Sequence, residues 1–411
     1  MLSGIKGLQI ALISTDYPPL RTSAAVQMRD LAQEFLRQGY DPVVIIPSVD
    51  AHATWVAEIE DKIKVLRLYG ARTRGSGYLR RSIAEFLLPF FMLRALHASP
   101  YRETKWDLVI WYSPTIFFGP LICSLKRRSN CKTYLILRDI FPEWAKDLGL
   151  IGKGPIFWFF KAIANFQYEM ADTIGVQTPS NLTYLSGGSK VTYQRLEVLQ
   201  NWQSPLPNIG SSISMPTTPL AGRKIFVYVG NMGVAQGMDI LIDLAESLKY
   251  RQDLGFLFVG RGSEFERLVA AALTRSLNNT LFCNEVDSRE MPGLLAQCHV
   301  GMLALDPRHK THNIPGKFLT YLLAGLPVLA RVNAGTDLAH LIEKEDVGRV
   351  YVGDHVDPLR EFAEELADSH YTHERMAAKG RNLGAHMFSP ETAVRQIIAA
   401  SGLSLNSLDR V

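Results

Sequence analysis

Residues 225–237 run Ile225-Phe-Val-Tyr-Val229 and then Gly230-Asn231-Met232-Gly233-Val234-Ala235-Gln236-Gly237. Five apolar residues in a row, closed by glycine, predict a strand covered on both faces, as strands of parallel sheets are. The amphipathic run that follows predicts a helix over 237–249. Three glycines between strand and helix let backbone amides approach an anion, and the helix N-terminus adds its unpaired N–H groups and dipole. The spacing is not Gly-x-Gly-x-x-Gly, and no acid stands at the distance expected of a ribose partner. The turn therefore either cradles a phosphate or only reverses the chain.

The same alternation of strand and helix extends to both sides of this stretch. Toward the C-terminus, strands are expected at 255–260, 279–283, 299–305, 327–331 and 347–351, with helices between them. Further helices are expected at 357–368, 371–384 and from Pro390 to about Ala400. Toward the N-terminus, strands are expected at 8–14, 43–47, 63–68, 107–112, 132–138, 172–177 and 195–199. A helix from Ala25 to Gln38 ends at Gly39, and Ser113-Pro114 offers the cap and first proline of another. Between the halves, 204–222 is rich in Pro, Ser and Gly and without periodicity, which suggests a linker. The expected fold is α/β, with two doubly wound Rossmann-like domains facing a cleft: 1–203, then 223–385, with 386–411 as a separate C-terminal helix. Ligands of such folds bind at the carboxyl ends of the strands.

Composition agrees with two globular cores. The chain has 411 residues, 47% of them hydrophobic and 20% charged. Its four cysteines form no CxxC pair, so neither a zinc ribbon nor a disulfide framework is indicated, and a reducing cytoplasm is expected. The first residues lack the basic region, long apolar core and cleavage site of a secretory signal. The net charge of +4 is uneven, because 67–102 alone carries seven arginines against Glu85. Aromatic and aliphatic residues interleave with those arginines. That pattern suits an interfacial helix on an anionic membrane surface, helped by Pro155-Ile-Phe-Trp-Phe-Phe160, better than a nucleic-acid site. Ile83 to Leu96 is too short to span a bilayer.

Three further segments carry candidate chemistry. Gly260-Arg261-Gly262 follows a strand, and its arginine could meet a phosphate with a bidentate fork. Leu305 to Val328 places Arg308, His309, Lys310 and His312 before Asn313-Ile-Pro315-Gly316-Lys317, where a helix opens. A lysine in a first turn opposes the helix dipole, and a bound anion would explain it. His309 and His312 have no third ligand placed for a metal. In the first half, the loop Ser14-Thr-Asp16-Tyr17-Pro-Pro-Leu-Arg21 and the run Arg138-Asp139-Ile-Phe-Pro-Glu143 both leave the carboxyl ends of strands. They could supply an acid, a base or a charge clamp, or merely a structural Arg–Asp pair.

Together these segments resemble glycosyltransferase family 4, a retaining GT-B family, over nearly the whole chain. The likeness rests on the Pro18-Pro19 loop, Gly39-Tyr-Asp-Pro-Val43, Val259-Gly-Arg-Gly262 and Ala324-Gly-Leu-Pro-Val328. Leu135 to Pro142, Gly230 to Gly237 and Asn313 to Tyr321 are more closely similar to the WbuB-like branch, L-fucosamine transferases of surface-polysaccharide assembly.

The resemblance implies a donor UDP-sugar in the second domain, held by Gly230, Asn231, Met232, Gly233, Gln236, Gly260, His312, Asn313, Pro315, Gly316 and Thr320. It implies Lys317, Arg261, Asp139 and Arg138 at the reaction, and Asp16, Tyr17 and Arg21 at the acceptor, a polyprenyl-diphosphate-linked saccharide. The last helix would cross back to the first domain. No metal or other cofactor is implied, and the expected place of work is the inner face of the cytoplasmic membrane. Where the family carries Arg and Lys in its first phosphate loop, this chain has Asn231 and Gln236. Where it carries two glutamates, His312 and Thr320 stand, and Arg138 replaces a histidine. A GT-B sugar-nucleotide epimerase and a non-catalytic nucleotide-sugar-binding protein are the alternatives.

Overall fold

The computed structural model describes residues 7–20, 22–48, 53–70, 78–147, 149–188, 195–306 and 313–403. It divides into two compact units. One is Met1–Trp202 with Pro390–Val411, and the other is Gln203–Ser389.

The first unit is built on strands β1 (Gln9–Ile13), β2 (Asp41–Ser48), β3 (Trp55–Glu60), β4 (Ile63–Tyr69), β5 (Leu108–Ser113), β6 (Lys132–Leu137), β7 (Thr173–Val176) and β8 (Leu196–Val198). They lie in the order β3-β4-β2-β1-β5-β6-β7-β8, parallel except for the β3–β4 pair. Its helices are α1 (Ser23–Arg37), α2 (Tyr78–Ala98), α3 (Gly119–Ser129), α4 (Glu143–Asp147), α5 (Pro155–Glu169) and α6 (Pro179–Gly188). Alternate side chains explain the unbroken apolar runs. Ala11 and Ile13 enter the core that α2 and α3 cover, while Ile10 and Leu12 enter the core that α1 covers.

The second unit repeats the plan with β9 (Lys224–Asn231), β10 (Leu254–Arg261), β11 (Thr280–Cys283), β12 (Val300–Ala304), β13 (Val328–Val332) and β14 (Gly348–Val352). All are parallel, in the order β11-β10-β9-β12-β13-β14. The helices are α7 (Asp239–Ser247), α8 (Phe265–Thr274), α9 (Met291–Leu295), α10 (Gly316–Ala324), α11 (Asp337–Glu345), α12 (Val356–Asp368) and α13 (His370–Met387). Ile225, Val227 and Val229 face one core and Phe226 and Tyr228 the other. The last helix, α14 (Pro390–Ser401), packs Ala393, Val394 and Ile397 into the first unit's core.

Three details differ from the sequence expectations. Ser113-Pro114 does not cap a helix; α3 starts at Gly119. The Gln167 side chain donates to the Thr115 carbonyl (3.1 Å) and accepts from Phe118 N–H (3.2 Å), so this stretch is satisfied outside a helix. Strand β3 escapes the pattern because it is an antiparallel edge strand with Val56 and Ile59 exposed. The 204–222 segment is not free of the domains, since Met215 and Leu220 are buried in the core of the second unit.

Candidate functional site

In the second unit the strand order reverses between β9 and β12, the switch point at which ligands of open α/β sheets bind. The two strands pair only through Val300 and Gly301. Beyond that, the Tyr321 hydroxyl stands between them, accepting from Val229 N–H (3.0 Å) and donating to the Met302 carbonyl (3.2 Å). Gly301 makes room, because a Cβ there would lie 2.4 Å from the Tyr321 ring.

Next to this gap the carboxyl ends of β9 and β10 meet through glycine. Gly230 and Gly260 are paired in register, and a Cβ on Gly260 (φ +152°) would lie 1.9 Å from the Gly230 carbonyl. Gly230 (φ +112°) has its own open side toward Lys317, whose Cε and Nζ lie 3.8 and 3.9 Å from where a Cβ would stand. Met232 donates its N–H to the Arg261 carbonyl (2.8 Å), while its side chain is fully buried, so it can offer a ligand backbone alone.

The loop after β9 is braced from within. Gln236 Oε1 accepts from Gly233 N–H (2.9 Å) and Asn231 Nδ2 (3.1 Å). The Gly233 amide, expected to face phosphate, is thus engaged by Gln236, and Asn231 and Gln236, where the resemblance implied cations, hold each other.

Lys317 occupies the first turn of α10, after Pro315 in an extended N-cap position. Its ammonium donates to the Tyr228 hydroxyl and lies 3.7 Å above the ring of that tyrosine. The Tyr228 hydroxyl donates to the Asn231 carbonyl (2.6 Å). Burial pushes the Lys317 pKa down to about 7. No carboxylate among the described residues pairs with it. On the same helix, Thr320 donates to Gln203 Oε1 (3.0 Å) and to the Gly316 carbonyl (3.3 Å). Asn313, half-buried, leads into the helix.

Arg261 points outward and pairs with Glu285 (2.9 Å), its side chain 79% exposed. Exposed pairs of this kind contribute only about 0–1 kcal/mol. His312, with Arg308, His309 and Lys310, lies outside the described residues.

Sequence reasoning missed three residues here. Tyr228 carries the ammonium, and Gln203 carries Thr320. Arg331 is buried in β13 and donates to the carbonyls of Leu305 and Gly353 (2.8 Å to the latter), to Asn333 (3.0 Å) and to Asp354, tying together the ends of β12, β13 and β14. An arginine inside Val328-Leu-Ala-Arg331-Val332 was the available signal.

In the first unit Asp16 is buried and accepts from the Thr22 hydroxyl (2.7 Å), which itself caps α1 by accepting from Ala25 N–H (3.2 Å). Tyr17 is a core residue, and burial raises its pKa. Arg21 lies outside the described residues.

At the end of β6, Arg138 is buried. It donates to the carbonyls of Leu199 (2.7 Å) and Gln200 (3.1 Å) and lies 5.3 Å over the Trp202 ring. Those bonds make it a support for the end of β8 rather than a free charge. The Asp139 carboxyl beside it is held above its ordinary pKa by burial, which the Arg138 charge only partly opposes. Glu143 pairs with Lys161 of α5, both nearly buried. Among the described residues no group of three or more His, Cys, Asp or Glu is gathered as a metal set.

Residues 223–369, the greater part of the second unit, match the model of the Glycosyl transferases group 1 family. WbjE of Pseudomonas aeruginosa, assigned as a glycosyltransferase, is 22% identical over 320 residues, 76% of this chain and 75% of its own. WcaI of Escherichia coli K12, assigned to colanic acid biosynthesis as a glycosyl transferase, is 24% identical over 370 residues, covering 82% and 86% of the two chains. Among solved structures, HepE of Anabaena in complex with UDP and glucose superposes with a TM-score of 0.67 at 16% identity, over 96% of this chain and all of its own. The fold is GT-B.

Proposed function

We propose that this GT-B glycosyltransferase takes its sugar from a nucleoside diphosphate held in the second unit, at the switch point between β9 and β12. The diphosphate lies against the N-terminus of α10 and the Lys317 ammonium, with the Gly230–Gly260 edge giving close backbone approach. The observation that carries this reading is Lys317 itself. A half-buried amine over a tyrosine ring, with no carboxylate among the described residues beside it, at a helix N-terminus that favours anions, is what an anion-binding site would present. Arg261 joins it by releasing Glu285.

The preferred donor is a UDP-sugar, with N-acetyl-L-fucosamine as the first sugar to try. The preferred acceptor is a lipid-diphosphate-linked saccharide in O-antigen, capsule or exopolysaccharide assembly. Likeness to WcaI supports the polysaccharide setting, and the UDP bound by HepE supports the nucleotide. The bond from the anomeric carbon to the phosphate oxygen breaks, and the bond to the acceptor oxygen forms on the same face. The acceptor proton passes to the departing diphosphate, so no protein base and no metal is required in this reading. Asp139 orients the acceptor.

A thermal-shift screen against UDP-, GDP- and dTDP-sugars tests it. A ligand at a hundredfold its Kd stabilises by about 2.7 kcal/mol, and the UDP-sugars are expected to give that shift. Lys317→Ala should lower donor turnover by about 10²-fold or more, as loss of an oxyanion donor does. Absence of a shift with every donor, or full turnover by the variant, would remove the reading.

A further inference from the structure

Helix α2 carries two apolar stripes where a surface helix needs one. The inner stripe, Leu88, Met92, Ala95 and Leu96, is buried in the first unit's core. The outer stripe is Ile83, Phe86, Leu87 and Phe90, spaced by three and four residues along one face and 39–52% exposed. On α5, Phe157 turns inward while Ile156, Trp158 and Phe159 are each more than half exposed. The Phe86 and Phe159 rings stand 6.4 Å apart, so the two outer faces are continuous. At the 150–250 Å² that an aromatic side chain carries, the joint patch exposes on the order of 600 Å² of apolar surface. That is at the upper limit for a soluble monomer without a use for it.

We propose that this α2–α5 face is a docking surface for an anionic lipid bilayer. The charges around the patch select that occupant. Arg94 extends the outer stripe of α2 and is exposed, and exposed Lys153 precedes α5. Glu85 is the single acid in α2. A second copy of the chain docking through a two-fold axis would set these cations against themselves. Anionic headgroups set them against the opposite charge. Large aromatics with a basic rim are the composition of helices that lie in the headgroup boundary. The helix lies on the membrane and does not cross it, for among the described residues no helix is long and apolar enough to span. Of the basic segment singled out in the sequence, α2 supplies one half of the face, while Arg67 is held in β4 by Glu58 and Glu60 and Arg102 pairs with Glu103 (3.0 Å); the 155–160 run supplies the other half.

The test is co-sedimentation of the full chain with vesicles of phosphatidylcholine alone and of phosphatidylcholine with 30 mole per cent phosphatidylglycerol. The wild type is expected to sediment with the anionic vesicles and at least tenfold more weakly with the neutral ones. Phe90→Ser with Trp158→Ser removes exposed apolar surface, and Arg94→Glu with Lys153→Glu reverses the rim. Each pair should lower anionic binding at least tenfold while leaving the melting temperature unchanged. No sedimentation by the wild type, or equal sedimentation by both variants, overturns the proposal. So does a concentration-dependent dimer in analytical ultracentrifugation that Phe90→Ser with Trp158→Ser abolishes, since the face would then join two copies. UDP binding by the second unit would survive each of those outcomes, so this proposal and the donor reading fail separately.

Discussion

In the proposed donor site, Lys317 makes binding depend on pH in a way that can be worked out in advance. Burial leaves its pKa at about 7 in the free protein, against 10.5 for an ordinary lysine. At pH 8 roughly nine-tenths of the molecules then carry a neutral amine. A diphosphate needs the ammonium, so binding must draw about 0.9 proton from solution at pH 8. Affinity at that pH falls about tenfold, or ~1.4 kcal/mol, below that of the fully protonated site. From pH 7.5 to 8.5 the expected loss is about eightfold. The terminal phosphate of the nucleotide, with a pKa of about 6, is already ionised across that range and adds little. Titration calorimetry with UDP in two buffers of different ionisation enthalpy measures the proton directly. Lys317→Met should bind weakly, take up no proton and show no pH slope. Proton uptake near zero at pH 8 in the wild type, with flat affinity from 7.5 to 8.5, would refute the assignment. Stability has the opposite sign. Between pH 7 and 10.5 the unfolded chain holds more protons at this lysine than the folded one, so folding strengthens as pH rises, and Lys317→Met should lose that slope.

Other expectations concern the framework of the site. Gly260→Ala places a Cβ 1.9 Å from the Gly230 carbonyl at φ +152° and should cost about 2–4 kcal/mol in urea unfolding. Arg331→Met strips bonded carbonyls at the ends of β12 and β14 and leaves Asp354 unpaired. It should cost about 2–4 kcal/mol, with a lower urea midpoint. Asp139→Asn removes a carboxyl whose pKa burial raises, a group that favours folding when neutral and opposes it when ionised. The variant should therefore melt higher at pH 7, with the gain vanishing as pH falls below the ordinary carboxyl pKa of 3.8.

Much of the fold was legible because parallel strands leave an unambiguous signal. Val227 and Val229 are buried on one side and Phe226 and Tyr228 on the other, so the run cannot alternate. What escaped was set by partners remote in sequence. Ser113-Pro114 looks like a helix start until Gln167 takes up the backbone after it. Met215 and Leu220 look like linker until the core that receives them exists. The candidate site was legible as a set of turns and one lysine at odds with the helix dipole. Its electrostatics were not, because the Lys317 charge depends on burial, to which Tyr228 contributes from 89 residues away in sequence with no charge of its own.

The two positions at which the resemblance implied cations and the half-buried lysine then fall into one physical account. A loop with an arginine and a lysine offers a permanent positive charge to a diphosphate, and it can stay exposed. Here Asn231 and Gln236 instead close on each other and stiffen the loop, and the cation is moved under it, onto the face of a tyrosine. A fixed charge at that depth would carry a desolvation penalty of several kcal/mol. An amine with a pKa of about 7 reduces that penalty, since at neutral pH half the free molecules bury a neutral group. The proton arrives with the anion that makes it stable. In the proposed site the ammonium is therefore complete when the donor is bound, and its attraction to the leaving diphosphate grows as that group gains charge. That is the differential stabilisation that speeds a reaction rather than merely tightening binding.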